Sequence, residues 1–193
     1  MRYVKIFSLA VVTAAVVGSL ARADTPPAAD VAVVAGAWQH HTVKVNYFGI
    51  TSLYTCSGLE DHVRDMLVHF GARQDAKVHA SGCFRGPDSP SHTAWIDADF
   101  YTLAPAADTS APDTVKAYWA SREMGPKRPY FMDDGDCELV NQMKDTISKS
   151  FALKDLKYET DCVPHQITIN GFHVKAEALI AVPVPKAPDA KRS

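Results

Sequence analysis

The sequence predicts an α+β fold made of two β-α-β-β halves in one domain, and three observations carry that prediction. Thr42-Val43-Lys44-Val45-Asn46-Tyr47 and Thr114-Val115-Lys116-Ala117-Tyr118-Trp119 both alternate in strand fashion. Each run leads into a helical segment that opens near a cysteine, and each helix into a strand that closes on a second cysteine. In both halves a Phe stands 14 residues after the first cysteine, Phe70 after Cys56 and Phe151 after Cys137.

The elements follow in order. Residues 1–23 read as a secretory signal peptide: Arg2 and Lys5 supply the charged start, an apolar run spans Ile6 to Val17, and Ala21-Arg22-Ala23 is a small-x-small cleavage pattern. That run is shorter than the roughly 20 residues a membrane span needs, and no later segment reads as a transmembrane helix. Residues 24–40, rich in Ala, Pro and Val, read as a flexible arm, and the folded body as 41–182. Its halves are 42–103 and 114–182. In the first helix Ser57 and Glu60 have capping-box spacing, Leu59, Val63, Met66, Leu67 and Phe70 form one apolar stripe, and Gly71 suits the position past the helix end. Strands are expected over 76–83 and 92–103.

In the second half Asp136 is the expected N-cap, with Val140, Met143, Ile147 and Phe151 as the stripe. Strands are expected over 156–162 and 165–180, the latter containing Asn170-Gly171, which favours a tight hairpin turn. Residues 104–113 read as a linker, 121–135 as a loop containing Gly-Pro and Arg-Pro, and 183–193 as a disordered tail.

Lengths fix the cysteine pairing. A 14-residue helix over 57–70 is roughly 21 Å long at ~1.5 Å per residue. The seven-residue strand after it returns roughly 23 Å at ~3.3 Å per residue. Cys56 therefore meets Cys83, and the same arithmetic brings Cys162 back to Cys137. Two disulfides suit an exported chain.

The most economical arrangement of these elements is an antiparallel-containing sheet with both helices on one face, in the manner of the ferredoxin-like plait. There a right-handed crossover brings the helix start and the next strand's end to one edge. The alternative, two βαββ(β) modules side by side, resembles the glyoxalase-type metal-dependent fold. That family places His and Glu ligands on inward strand positions. The sequence does not match its ligand set, so the resemblance carries no activity across.

Charge and motif content exclude several function classes. The first 23 residues hold three of the 20 basic side chains and none of the 22 acidic ones, which leaves 17 against 22, a net charge of −5. A mildly acidic chain is not a nucleic-acid binder, which needs clustered basic charge. Neither a Cys-x-x-Cys pair, a Gly-x-Ser-x-Gly or His-Glu-x-x-His motif, a phosphate loop nor a dinucleotide fingerprint occurs. No cofactor is expected.

The candidate site residues are few, and each has a bland counterpart. Asp97 and Asp99 share a strand face with Trp95 and Tyr101, a pattern suited to sugar binding or acid–base work; a solvated outer face explains it equally. His92 and His165 occupy matching places in the two halves and would form a metal pair if the halves meet there. His40-His41 stand where the arm joins the first strand, and His62 pairs at best with Asp61 or Asp65. Asp133-Asp134-Gly135-Asp136 would suit a hard cation but lacks an EF-hand's spacing and serves a helix start for its own sake. The amides at Thr55-Cys56-Ser57-Gly58 would attract an anion if Ser57 left them open.

Two functions fit. One is a non-enzymatic periplasmic or secreted module that binds an envelope protein or a small ligand through its open sheet face or the 121–135 loop. Tyr101, Trp119, Tyr130 and Phe131 are its anchor candidates. The other is a periplasmic hydrolase or metal-dependent enzyme using Asp97, Asp99, His92 or His165. The first is favoured because no catalytic constellation stands out.

Overall fold

A computed structural model gives the structure of the chain and describes residues 32–84, 88–107, 113–163, 166–169 and 171–183. The stretch read as a signal peptide, most of the tail and His165 lie outside the described residues. The element order is β1 (Val33–Phe48), α1 (Cys56–His69), β2 (Lys77–Ser81), β3 (Thr93–Pro105), β4 (Thr114–Met124), α2 (Cys137–Ser150), β5 (Leu153–Thr160) and β6 (Phe172–Ala181). A single 3-10 turn, Asp134–Asp136, leads into α2. The fold is α+β: one six-stranded antiparallel sheet in the order β2-β3-β1-β4-β6-β5, with two helices.

The alternation of β3 determines which face is core. Ala94, Ile96, Ala98 and Phe100 are buried, and so are Phe172, Val174, Ala176 and Ala178 of β6. The α1 stripe (Leu59, Val63, Met66, Leu67) and the α2 stripe (Leu139, Val140, Met143, Ile147) join one apolar cluster with Ile96, Phe100 and Val174. Both helices therefore pack against the same side of the sheet.

The main correction concerns residues 33–40, expected in a flexible arm: they are the first half of a 16-residue strand. The small side chains of Ala35, Gly36 and Ala37 suit a place where three strands meet. Gly36 faces Pro105 of β3 and Val115 of β4, and a Cβ there would sit 3.1 Å from Ala117 and 3.3 Å from Leu103. Composition that resembles a linker is here a close backbone approach. The expected 121–135 loop is also shorter, because β4 continues through Met124. Of the expected 165–180 strand, strand runs from 172, residues 166–169 and 171 are not strand, and His165 and Asn170 lie outside the described residues.

β1 and β4 pair only over Val33–Ala37 and Thr114–Tyr118. Beyond that overlap each strand has an edge with no strand beside it among the described residues, which would expose unpaired amides and carbonyls. Helix side chains take some of them. Gln142 of α2 accepts from Phe48 N at 2.8 Å and donates to Phe48 O at 2.7 Å. His69 of α1 reaches Glu123 O of β4 at 2.9 Å. Each helix thus grips the strand edge of the other half.

Both expected disulfides are present, Cys56–Cys83 and Cys137–Cys162, with Cα atoms 5.9 and 5.8 Å apart. Each joins the first residue of a helix to the chain just past the following strand.

Candidate functional site

The sheet face away from the helices collects the aromatic and charged side chains. Cross-strand pairing puts Trp95 opposite Asn46, Asp97 opposite Lys44, Asp99 opposite Thr42, Tyr101 opposite His40, and Leu103 opposite Trp38. All of these alternate with the buried residues of β3 and so point outward. Trp119 of β4 lies on the same side, because it pairs with Leu179 and alternates with Tyr118 and Ala120. All three tryptophans of the chain are therefore on this face.

Its charges are mutually compensated. Lys44 Nζ lies 3.0 Å from Asp97, and His40 Nε2 lies 2.8 Å from Asp99. The Arg73 guanidinium stacks 3.9 Å from the Tyr101 ring centroid while holding Asp75 with two hydrogen bonds of 2.7 Å, which keeps the Asp75 carboxyl below its ordinary range. Lys154 Nζ sits 3.8 Å above the Trp119 ring. Around Leu103, Ala117 and Leu179, Trp38 and Trp119 form a second small apolar cluster with Val34 and Val115. Trp95 has no such cover and is 61% exposed. Asp97 and Asp99 are each held at the surface by a basic side chain of the neighbouring strand.

The other sequence candidates are dispersed. His92 Nδ1 bonds Gly49 O at 2.9 Å, and Gly49 N returns a bond to His92 O at 2.8 Å, which ties a strand end to a loop. Tyr130 is 91% exposed beyond β4, but the neighbouring Phe131 turns inward, packed against the main core and edge-on to His62. Thr55, not Ser57, caps α1, with Oγ1 accepting from Gly58 N at 2.9 Å. Glu60 does not complete a capping box: its Oε1 accepts from Ala80 N of β2 at 2.8 Å and contacts His79 at 3.1 Å. Among the described residues, no three His, Cys, Asp or Glu side chains are grouped to hold a metal ion.

A buried polar cluster that sequence reasoning missed lies where the two helix starts converge. Asp136 is 4% exposed. Its carboxylate accepts from the Tyr54 hydroxyl and from Asp133 N at 2.6 Å, and His62 Nε2 lies 3.1 Å away at ion-pair distance, off the line of a hydrogen bond. Burial, reinforced by the Asp136 charge, pushes the Tyr54 phenol far above its usual pKa, and burial does the same to Tyr47. Beside it Glu138 accepts from Ile50 N (2.7 Å), Thr51 N (3.1 Å) and Thr51 Oγ1 (2.9 Å). The cluster clasps the β1–α1 loop to the α2 start. His62 and Asp136 are far apart in sequence, so no local spacing announces their contact. Comparison of the chain with protein-family models, with curated proteins and with solved structures yields no match.

Proposed function

We propose that the chain is an exported, non-catalytic binding module of the cell envelope, and that it captures another envelope protein through the sheet face opposite the helices. The observation that carries this reading is the placement of Trp38, Trp95, Trp119 and Tyr101 on that face, while the core behind it is filled by Leu, Ile, Val, Met and Phe. Trp and Tyr are the residues that anchor interfaces, where a broad apolar ring and a polar edge are both used. The paired charges around them form a polar rim. Two disulfides and the leader-like first 23 residues support a periplasmic or secreted location. The strand order β2-β3-β1 of the first half and β5-β6-β4 of the second match element for element. We read them as a duplicated βαββ unit, each half having the crossover of a plait, set side by side in one sheet.

Photocrosslinking in the intact envelope tests the proposal. A photoreactive residue at position 95 should give a discrete protein adduct, which Tyr101→Ala should weaken severalfold without changing the circular dichroism. Adducts from exposed α2 positions such as Ser148 but none from position 95 would sink the reading. So would a small-molecule mass on the purified protein that displaces the protein adduct.

A further inference from the structure

On the helix side of the sheet, α2, β5 and β6 enclose a cavity of about 120 Å³ lined by Met124, Val140, Ile147, Leu156, Tyr158 and Val174. We propose that this cavity binds a small aromatic carboxylate, its ring among the aliphatic side chains and its carboxylate on Lys144 at the rim.

Size sets the first half of the assignment. An engineered apolar cavity of ~150 Å³ stays dry and takes one benzene ring; this one is close to that size and open on one side. Its lining is mainly aliphatic, with Lys144, Asp145 and Ser148 as polar residues, and it favours an apolar ring. Charge sets the second half. Lys144 lines the cavity, its Nζ 5.4 Å from the Tyr158 ring centroid. It has no carboxylate partner among the described residues, whereas Asp145, which lines the same cavity, is engaged by Lys149 at 3.5 Å. An unpaired cation at an apolar mouth selects an anionic head group over a neutral or cationic one.

The backbone at the mouth is a third observation. The β5–β6 register shifts between Lys154 and Lys157, and Asp155 adopts φ 50°, a left-handed conformation uncommon outside Gly and Asn/Asp. Bulges re-aim side chains beside functional sites. This one leaves Leu156 lining the cavity yet 41% exposed. A bound ring would cover it.

Amide-resolved NMR titration of the oxidised, full-length mature protein tests the assignment, with benzoate as probe and benzylamine as its cationic counterpart. Benzoate should shift Ile147, Leu156, Tyr158 and Val174 saturably, with a dissociation constant on the order of a millimolar for so small a ligand. Lys144→Gln should weaken binding about fivefold at low salt, and Leu156→Trp should close the mouth and abolish it. Both substitutions are at exposed positions and leave the core intact. Absence of saturation at ten times that concentration, shifts centred elsewhere, unchanged affinity in Lys144→Gln, or equal binding of benzylamine would each overturn the proposal. None of these outcomes bears on the opposite face of the sheet.

Discussion

At the scale of single residues, the most consequential side chain is Asp136. A buried carboxylate is tolerated only when its lone pairs are used; Tyr54 and Asp133 N donate to this one, and His62 lies at ion-pair distance. Tyr54→Phe removes one donor and should cost about 1–3 kcal/mol in urea unfolding. Asp136→Ala strands the tyrosine hydroxyl and an amide together and should cost about 2–5 kcal/mol. Equal, sub-kilocalorie effects would mean that water reaches the cluster. His69 gives a pH prediction. Burial holds its pKa below the ordinary 6.5, with its bond to Glu123 O opposing. The unfolded chain therefore binds the proton more readily. Its contribution is fully present above pH ~6.5 and is lost as pH falls from there toward the folded pKa. His41, also lowered by burial and by His40, acts in the same direction. Stability measured between pH 7.5 and about 5 should decline, and His69→Gln, which keeps a donor for Glu123 O, should flatten part of that slope. An unchanged slope in the variant would place the titration elsewhere.

At the scale of elements, edges decide the behaviour. β2 ends the sheet on one side, and Glu60 covers its Ala80 amide. Glu60→Ala should cost about 1 kcal/mol and expose that edge to a second chain. Size-exclusion chromatography should then show concentration-dependent self-association absent from the parent; a strictly monomeric variant would assign edge protection to the short length of β2. Glu60 also illustrates what the sequence discloses and what it hides. The α1 stripe and both disulfide pairings were legible because helix rise and strand rise are fixed quantities, and Cys56, Cys83 and Phe70 sit at lengths that obey them. The role of Glu60 was not, because capping-box spacing is satisfied by chance while the partner it takes, Ala80, is visible only after the crossover closes. β1 was misjudged at its start for a related reason. Val33 to Ala37 lacks the alternation of a half-buried strand because its outer face there also joins an apolar cluster through Val34, and Gly36 admits the close approach of Leu103 and Ala117. The aromatic face was half legible: Asp97, Asp99, Trp95 and Tyr101 follow from period two, but the addition of Trp38 and Trp119 depends on register across β1 and β4. Phe131 looked exposed in a loop and is held inward by His62, a tertiary contact with no local sign.

At the scale of the molecule, the halves are interdependent. One apolar cluster contains both helix stripes, and each helix grips a strand edge of the opposite half through Gln142 or His69. Each disulfide lies within one half, spanning 27 and 25 residues, and closing loops of that size is worth on the order of 3 kcal/mol apiece through the unfolded state. The disulfides therefore stiffen the halves, and burial and the clasp join them. Two spectroscopic probes separate these contributions. The three tryptophans lie on the outer face, on β1, β3 and β4, whereas the far-ultraviolet helical signal comes from α1 and α2 on the inner face. If the shared core makes the domain one cooperative unit, tryptophan fluorescence and ellipticity at 222 nm should give the same midpoint in guanidinium unfolding. Asp136→Ala, which loosens the join between halves but neither disulfide, should lower both midpoints together. Divergence of the two curves in that variant, with fluorescence changing first, would mean that the outer face melts before the helices leave the sheet. The clasp would then set the rigidity of the proposed binding surface as well as the stability of the fold.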